Sequence, residues 1–327
     1  MKKAFRFLIV VLIIFLIASK IGDKEVKPLL SNPNASKEAS VLYDLICLAK
    51  DTGYTLSGQQ ESTWMGSDDY EFLYINERTG KAPAIRGFDY MNDDFDGVNK
   101  RALKWHKSGG YVTICWHCGS DFSGEWKDCM NDEVTDWDKM LTEGTIEHER
   151  LLSGMDKAAA ALKKLSDKGV PVLWRPFHEL DGDWFWWGKG GSESFKKLWQ
   201  IMYDRYTNHW GLNNLIWVLG YSHKMENVKD WYPGDEYCDI IGADTYDIEI
   251  NSKLYKKMSK ITKAPKPLCL HECGQNPTVE DFEKAPWSYF MTWHTEYLTD
   301  RNSDEALYEL YNSDTIITLD MLHKTEP

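Results

Sequence analysis

No apolar run in this chain of 327 residues reaches the ~20 residues needed to span a bilayer. The longest covers residues 7–18, follows Lys2, Lys3 and Arg6, and ends beside Ser19. That pattern predicts an export signal over residues 1–19, cleaved or kept as a membrane anchor, and so a secreted or extracytoplasmic protein. No cysteine follows the run, which argues against a lipid anchor. Excess positive charge is missing as well: 38 Lys and Arg stand against 51 Asp and Glu, a formal charge of −13. Such a chain repels polyphosphate, which excludes nucleic acid as a partner, while a neutral polymer is not penalised. A second CxxC is absent, so Cys115 and Cys118 do not make half of a structural zinc site. No metal or other cofactor is expected, and nothing points to an obligate protein partner. There is no internal repeat, low-complexity tract or interior linker. Residues 20–37 read as a short polar linker and 38–327 as one domain.

Cysteine is sparse and odd in number. Seven residues leave at least one free thiol in an exported protein. Cys115, Cys238 and Cys269 fall in predicted strands and read as buried thiols, while Cys118 with Cys129 could close a loop disulfide.

What is abundant is aromatic: 15 Trp and 17 Tyr in a chain that is 43% hydrophobic. Short apolar runs at 54–60, 81–90, 111–117, 170–174, 214–221, 238–246, 267–272 and 288–293 read as strands. Helical spacing covers 41–52, 96–108, 145–168, 194–209 and 253–262, a long loop fills 118–143, and 307–322 forms the C-terminal end. Strands alternating with helices in this way predict an α/β fold, a single (β/α)8 TIM barrel. Polar residues gather just after the strands: Gln59-Gln60-Glu61, Asp89-Tyr90, His117, His178-Glu179, Tyr221-Ser222-His223, Asp244 and Tyr246, His271-Glu272, Trp293-His294. In such a barrel that rim holds the active site.

The densest signal is VPVLWRPFHELDGDWFWWGKGG at 170–191, a buried strand that turns into Arg175, His178, Glu179 and four aromatics. A second run, KPLCLHECG, ends a strand in Glu272. Sugars present apolar faces to indoles and hydroxyls to carboxylates, so this mixture suits carbohydrate chemistry. Two carboxyl groups with different protonation are what glycoside hydrolysis needs. Arg175 shares strand parity with Glu179 and could favour ionised carboxylates nearby. Trp184 is expected to face the cleft, with at least one of Trp186 and Trp187 buried. Other readings remain open. Glu179 and Glu272 could be ion-pair partners of Arg175 and Arg86. His117 and His178 could be hydrogen-bonded core residues, or His117, His178 and His271 could bind a metal. Asp89 and Tyr90 could cap the barrel or touch substrate.

The segment WRPFHELDGDWFWWG, with LHECG further on, resembles glycoside hydrolase family 26. SGQQE, the His closing YVTICWH, NLIWV and YPGDEYCDIIGADTYD agree, and the resemblance covers about residues 40–322. The family includes endo-β-1,4-mannanases, with some mixed-linkage β-glucanases and β-1,3-xylanases. The resemblance implies a (β/α)8 barrel with retaining chemistry, Glu179 as acid/base and Glu272 as nucleophile. It implies that His178 stands beside the acid/base and that Tyr246 hydrogen-bonds the nucleophile. His117, Trp184 and Trp293 match positions lining the bond-cleaving subsite; Asp89, Arg175 and Trp187 are further candidates for substrate contact. His294 stands where some members have arginine, which touches glycone-side binding. The implied activity is a secreted endo-β-1,4-mannanase on mannan, glucomannan or galactomannan. A mixed-linkage β-1,3-1,4-glucanase or a non-catalytic carbohydrate-binding barrel are the alternatives.

Overall fold

The structure, a computed structural model, describes residues 30–224, 226–246 and 251–322. The expected signal and most of the linker lie outside the described residues. Eight parallel strands close into a barrel in chain order: β1 (Gly58–Gln60), β2 (Ile85–Asp89), β3 (Tyr111–Cys115), β4 (Val172–Arg175), β5 (Leu215–Tyr221), β6 (Ile240–Thr245), β7 (Leu268–Cys273) and β8 (Phe290–Thr292). Six fall within the apolar runs read from the sequence, and β4 and β7 run one residue past theirs, to Arg175 and Cys273. The runs are nearly continuous because a strand in a helix-wrapped barrel is buried on both faces.

Around the barrel lie α1 (Lys37–Thr52), α2 (Tyr70–Thr79), α3 (Phe95–Lys107), α4 (Ile146–Ser166), α5 (Gly191–Asp204), α6 (Asn251–Met258), α7 (Val279–Lys284) and α8 (Asp304–Tyr311). Strand alternation sorts the core into two clusters. Val172, Trp174, Leu215, Trp217 and Leu219 pack outward with helix residues such as Met155 and Leu162. Leu173, Ile216, Val218, Ile240 and Cys269 point inward and meet Leu42, Ile46 and Ala49 of α1, which closes the N-terminal end. Helix α1 starts from Ser36, whose side chain accepts from Ala39 N. The end of the segment read as a linker is docked: Ser31 N donates to Asp239 Oδ1 at 2.6 Å, and Leu30 and Asn32 are buried.

Three expectations change. Helix α2 and two single turns, Asp128–Asn131 and Trp137–Met140, occupy stretches with no predicted helix. Helix α5 passes into a π-helical turn, Arg205–His209, so the helix expected over 194–209 is two elements. Cys118 and Cys129 are free thiols rather than a disulfide. Cys129 Sγ donates to Trp126 O at 2.7 Å. Burial pushes the Cys129 thiol up to about 12 and Cys118 well above its ordinary value, against the thiolate that disulfide exchange requires.

Candidate active site

Strand β4 delivers Arg175 inward, in step with Leu173. The chain then bends through Phe177 (φ 50) and Glu179 (φ 51), two non-glycine residues in the left-handed region. Each such residue costs about 1–3 kcal/mol and persists only where packing enforces it. Phe177 supplies that packing, with its ring against Trp186 and Trp187 at 5.9 and 5.8 Å. The bend sets His178 and Glu179 on the rim. Trp184 Nε1 donates to Glu179 Oε2 at 2.6 Å.

Strand β7 brings Glu272 by a different device. Leu270 and Cys273 face outward with the helix-side core, so simple alternation allows only one inward residue between them. The ladder skips one residue: Ala243 pairs with Leu270 and Asp244 with Glu272. This bulge turns both His271 and Glu272 toward Arg175. Arg175 Nη1 donates to Glu272 Oε1 at 2.5 Å and to His271 Nδ1 at 3.1 Å. Arginine can only donate, so His271 carries its proton on Nε2 and gives it to Tyr221 O at 3.1 Å. Tyr246 Oη donates to Glu272 Oε2 at 2.8 Å.

Glu179, Glu272 and a third acid, Asp244, converge: one carboxylate oxygen from each lies within 4.8 Å of the others. Burial pushes Asp244 well up, and the neighbouring carboxylates of Glu179 and Glu272 add to this; neither of its own oxygens has a hydrogen-bond partner among the described residues. Burial also pushes Glu272 up, while Arg175 and Tyr246 pull against it. His178 Nε2 stands 3.6 Å from Glu272 Oε1. Burial and the charge of Arg175 hold His178 and His271 well down, so both are neutral.

On the neighbouring strands, Asp89 Oδ1 accepts from His117 N at 3.0 Å and Asp89 Oδ2 meets His117 Nδ1. Burial alone would lower the His117 pKa, but the Asp89 carboxylate reverses that and raises it. The same pairing holds Asp89 below the usual carboxylate range despite its burial. With Nδ1 engaged, Nε2 is the nitrogen His117 has left for a ligand. Trp293, half-buried after β8, is fixed through its carbonyl by Gln59 Nε2 at 3.2 Å.

Most of the candidates thus come together: Glu179, Glu272, His178, Arg175, Tyr246, Trp184, and the Asp89–His117 pair. Trp187 does not join them as a sugar contact. It is buried against Phe185, ring centroids 4.6 Å apart, and its Nε1 donates to His178 O at 2.9 Å, so it braces the histidine from behind. Trp186 is buried too. The ion-pair reading divides. Arg175 does pair with Glu272, inside the site. Arg86 lies on the outward side of β2, out of step with Ile85 and Asp89, and binds Glu61 through Nε (3.0 Å) and Nη2 (2.7 Å). The three-histidine metal reading fails on geometry, since both ring nitrogens of His271 are already engaged. Two other groups converge closely enough for a cation, Asp89–Cys115–His117 and Glu179–Asp244–Glu272. In the first, the Asp89–His117 hydrogen bond joins two of the three; in the second, Arg175 already supplies positive charge. Sequence reasoning placed Asp244 on the rim and gave it no role. Its signal was available: it falls in inward register with Ile240 at the end of a strand, where an ionisable side chain is out of place.

A family model described as Glycosyl hydrolase family 26 matches residues 31–321. A mannan endo-1,4-beta-mannosidase from Thermothelomyces thermophilus is 32% identical over 322 residues, covering 91% of this chain and 64% of its own length. The chain spans 52–64% of the length of three such curated relatives. A beta-mannanase from a symbiotic protist of the termite Reticulitermes speratus, solved with a gluco-manno-oligosaccharide, superposes with a TM-score of 0.81 at 29% identity, covering 92% of this chain and 99% of that one. GH26A from a Muricauda species gives a TM-score of 0.82 at 36% identity, covering 89% and 99%.

Proposed function

The chain belongs to glycosyl hydrolase family 26, and from that premise we propose that it is a secreted, retaining endo-β-1,4-mannanase acting on mannan, glucomannan or galactomannan. The observation that carries the reading is the meeting of Glu179 and Glu272, from β4 and β7, with carboxylate oxygens within 4.8 Å. Retaining glycosidases hold their two carboxyl groups about 5–5.5 Å apart, whereas inverting ones leave about 6.5–9.5 Å for a water. The names of the mannanase relatives support the substrate class. The 1–19 pattern supports export.

In the first step Glu272 attacks the anomeric carbon, the bond to the leaving oxygen breaks, and Glu179 protonates that oxygen. Arg175 and Tyr246 hold the two oxygens of Glu272. Trp184 orients Glu179, which enters this step in its protonated form, with Asp244 beside it. In the second step Glu179 takes a proton from water, the water attacks the glycosyl ester, and Glu272 departs as carboxylate. Trp293 offers an aromatic face to the sugar, and His117 Nε2 a polar contact.

Proton NMR of products as they form tests the stereochemistry: the β-anomer appears first. Reducing-sugar release should be strong on galactomannan and weak on mixed-linkage β-glucan. The reverse preference would establish the glucanase reading, and no release from either would leave the non-catalytic one. Glu272→Ala with unchanged hydrolysis would overturn the nucleophile.

A further inference from the structure

Beyond the reacting carboxylates, the rim formed by the loops after β1, β2 and β8 carries a feature the mechanism does not use. Trp64 is 53% exposed. Single exposed apolar side chains are ordinary. This one is not placed at random. Its indole stands edge-on to the His294 ring at 4.8 Å, and His294 in turn lies 4.7 Å from Trp293. The three rings form a contiguous shelf from Trp293 to Trp64, with the Trp64 indole at 86° to the His294 ring and His294 at 34° to Trp293.

The loop that carries Trp64 is pinned on both sides. Glu61 is held by Arg86 and by Arg101 Nε at 2.8 Å, and Arg86 also binds Asp69 at 2.6 Å. Buried Glu71 accepts from Ser62 N (3.1 Å), Ser62 Oγ (2.6 Å) and Thr295 N (3.2 Å), joining this loop to the one bearing His294. A platform set before ligand arrives loses little freedom on binding.

Beneath Trp64 is a recess of about 60 Å³, lined by Glu61, Asp89, Asn92, Asp94 and Arg101 among others. A single water needs about 10–15 Å³ of such space, so the recess has room for a small polar arm. Asn92 Oδ1 is taken by Trp126 N at 3.1 Å, which leaves Nδ2 as a donor. Asp89 borders both the recess and His117. Burial holds the His294 imidazole down at about 4, so the shelf is uncharged and suited to a neutral ligand.

We propose that Trp64, with the recess below it, is a glycone-side subsite that stacks an unbranched β-1,4-linked mannosyl residue and receives its hydroxymethyl arm. The inference rests on the mannanase reading. The side follows from the acid: Glu179 and Trp184, from β4, must serve the departing oxygen, so the opposite rim takes the glycone. Here His294 lies within the shelf, and the polar contacts to the sugar come from Asn92 and Arg101 below it.

The test is hydrolysis of mannopentaose labelled with ¹⁸O at its reducing end, read by mass spectrometry for which bond is cut. Trp64→Ala raises KM about three- to tenfold, the worth of one aromatic stacking contact, and moves the cleaved bond. Trp64→Phe falls between it and the parent, which a loss of fold would not produce. A pentaose carrying a galactosyl unit on O6 of the residue at this subsite is cut poorly there. Unchanged KM and cleavage position in both variants, with mannan hydrolysis intact, overturn the subsite alone. Failure of the parent chain to cut any mannan overturns the mannanase reading and the subsite with it.

Discussion

Replacing Tyr246 with phenylalanine isolates one hydrogen bond on Glu272, the proposed nucleophile. The ring stays, and so does its packing on Tyr297, centroids 4.9 Å apart. What goes is the donation from Oη to Glu272 Oε2 at 2.8 Å. Burial and the nearby carboxylates push the Tyr246 phenol well above its usual range, so it is a neutral donor throughout the working pH. A hydrogen bond to a charged group contributes about 1.5–3 kcal/mol, which is about ten- to a hundredfold in rate. The loss should fall most heavily on the second step, because there Glu272 regains its charge as it departs and Tyr246 donates to that charge. With an activated aryl glycoside, the variant should show a burst followed by a slow steady state. The pH profile supplies a second readout. Glu272 must be ionised to attack, and Tyr246 is one of the groups lowering its pKa. Without it that pKa moves further up, so activity is lost at higher pH on the acid side. A kcat within twofold of the parent, no burst and an unmoved acid limb would refute the assignment of Glu272 and Tyr246 together.

Glu179→Ala should slow polysaccharide hydrolysis about 10²- to 10⁴-fold, and aryl glycosides with good leaving groups far less, as steady-state kinetics on both will report. Asp89→Asn removes the charge that raises the His117 pKa, so an NMR titration should find that histidine titrating lower, with activity reduced about tenfold. Gly242→Ala places a Cβ 2.8 Å from His271 Cδ2 and 2.9 Å from Cys269 Sγ. It should cost about 1–3 kcal/mol in denaturant unfolding and lower kcat through His271 and Arg175. Leu162→Ala, at the buried face of α4, should destabilise by about 2–5 kcal/mol with kcat unchanged.

The eight strands were legible because helix-covered barrel strands are short, apolar and followed by polar residues. Glu179 was legible because a carboxylate directly beyond a buried strand, under indoles, has few structural uses. Helix α2 was hidden by its own core face. Glu71 is buried there beside Phe72 and Ile75, so the apolar spacing that announces a helix is broken by a charge whose role lies in two distant loops. Trp184, Trp186 and Trp187 look alike in sequence. Only tertiary placement separates the one that donates to Glu179 from the two in the core. Arg175 could be placed inward by parity, whereas its bond to Glu272 could not, because parity on β7 misleads.

That failure of parity explains how the site is built. An unbroken strand between Leu270 and Cys273 would send either His271 or Glu272 away from Arg175. The inserted residue lets both face in, at the cost of a skipped ladder position and of room inside the barrel for an imidazole. The room comes from glycines on β5 and β6: a Cβ at Gly220 would sit 2.9 Å from His271 Nε2, and one at Gly242 would sit 2.8 Å from Cδ2. His271 fills that space and, held at both nitrogens, becomes the fixed point from which Arg175 reaches Glu272. A buried guanidinium left unpaired would cost several kcal/mol, so the pair holds its geometry whether or not a sugar is present. The bulge, the two glycines and the buried arginine therefore act as one device, and its product is a carboxylate aimed across the barrel mouth at Glu179.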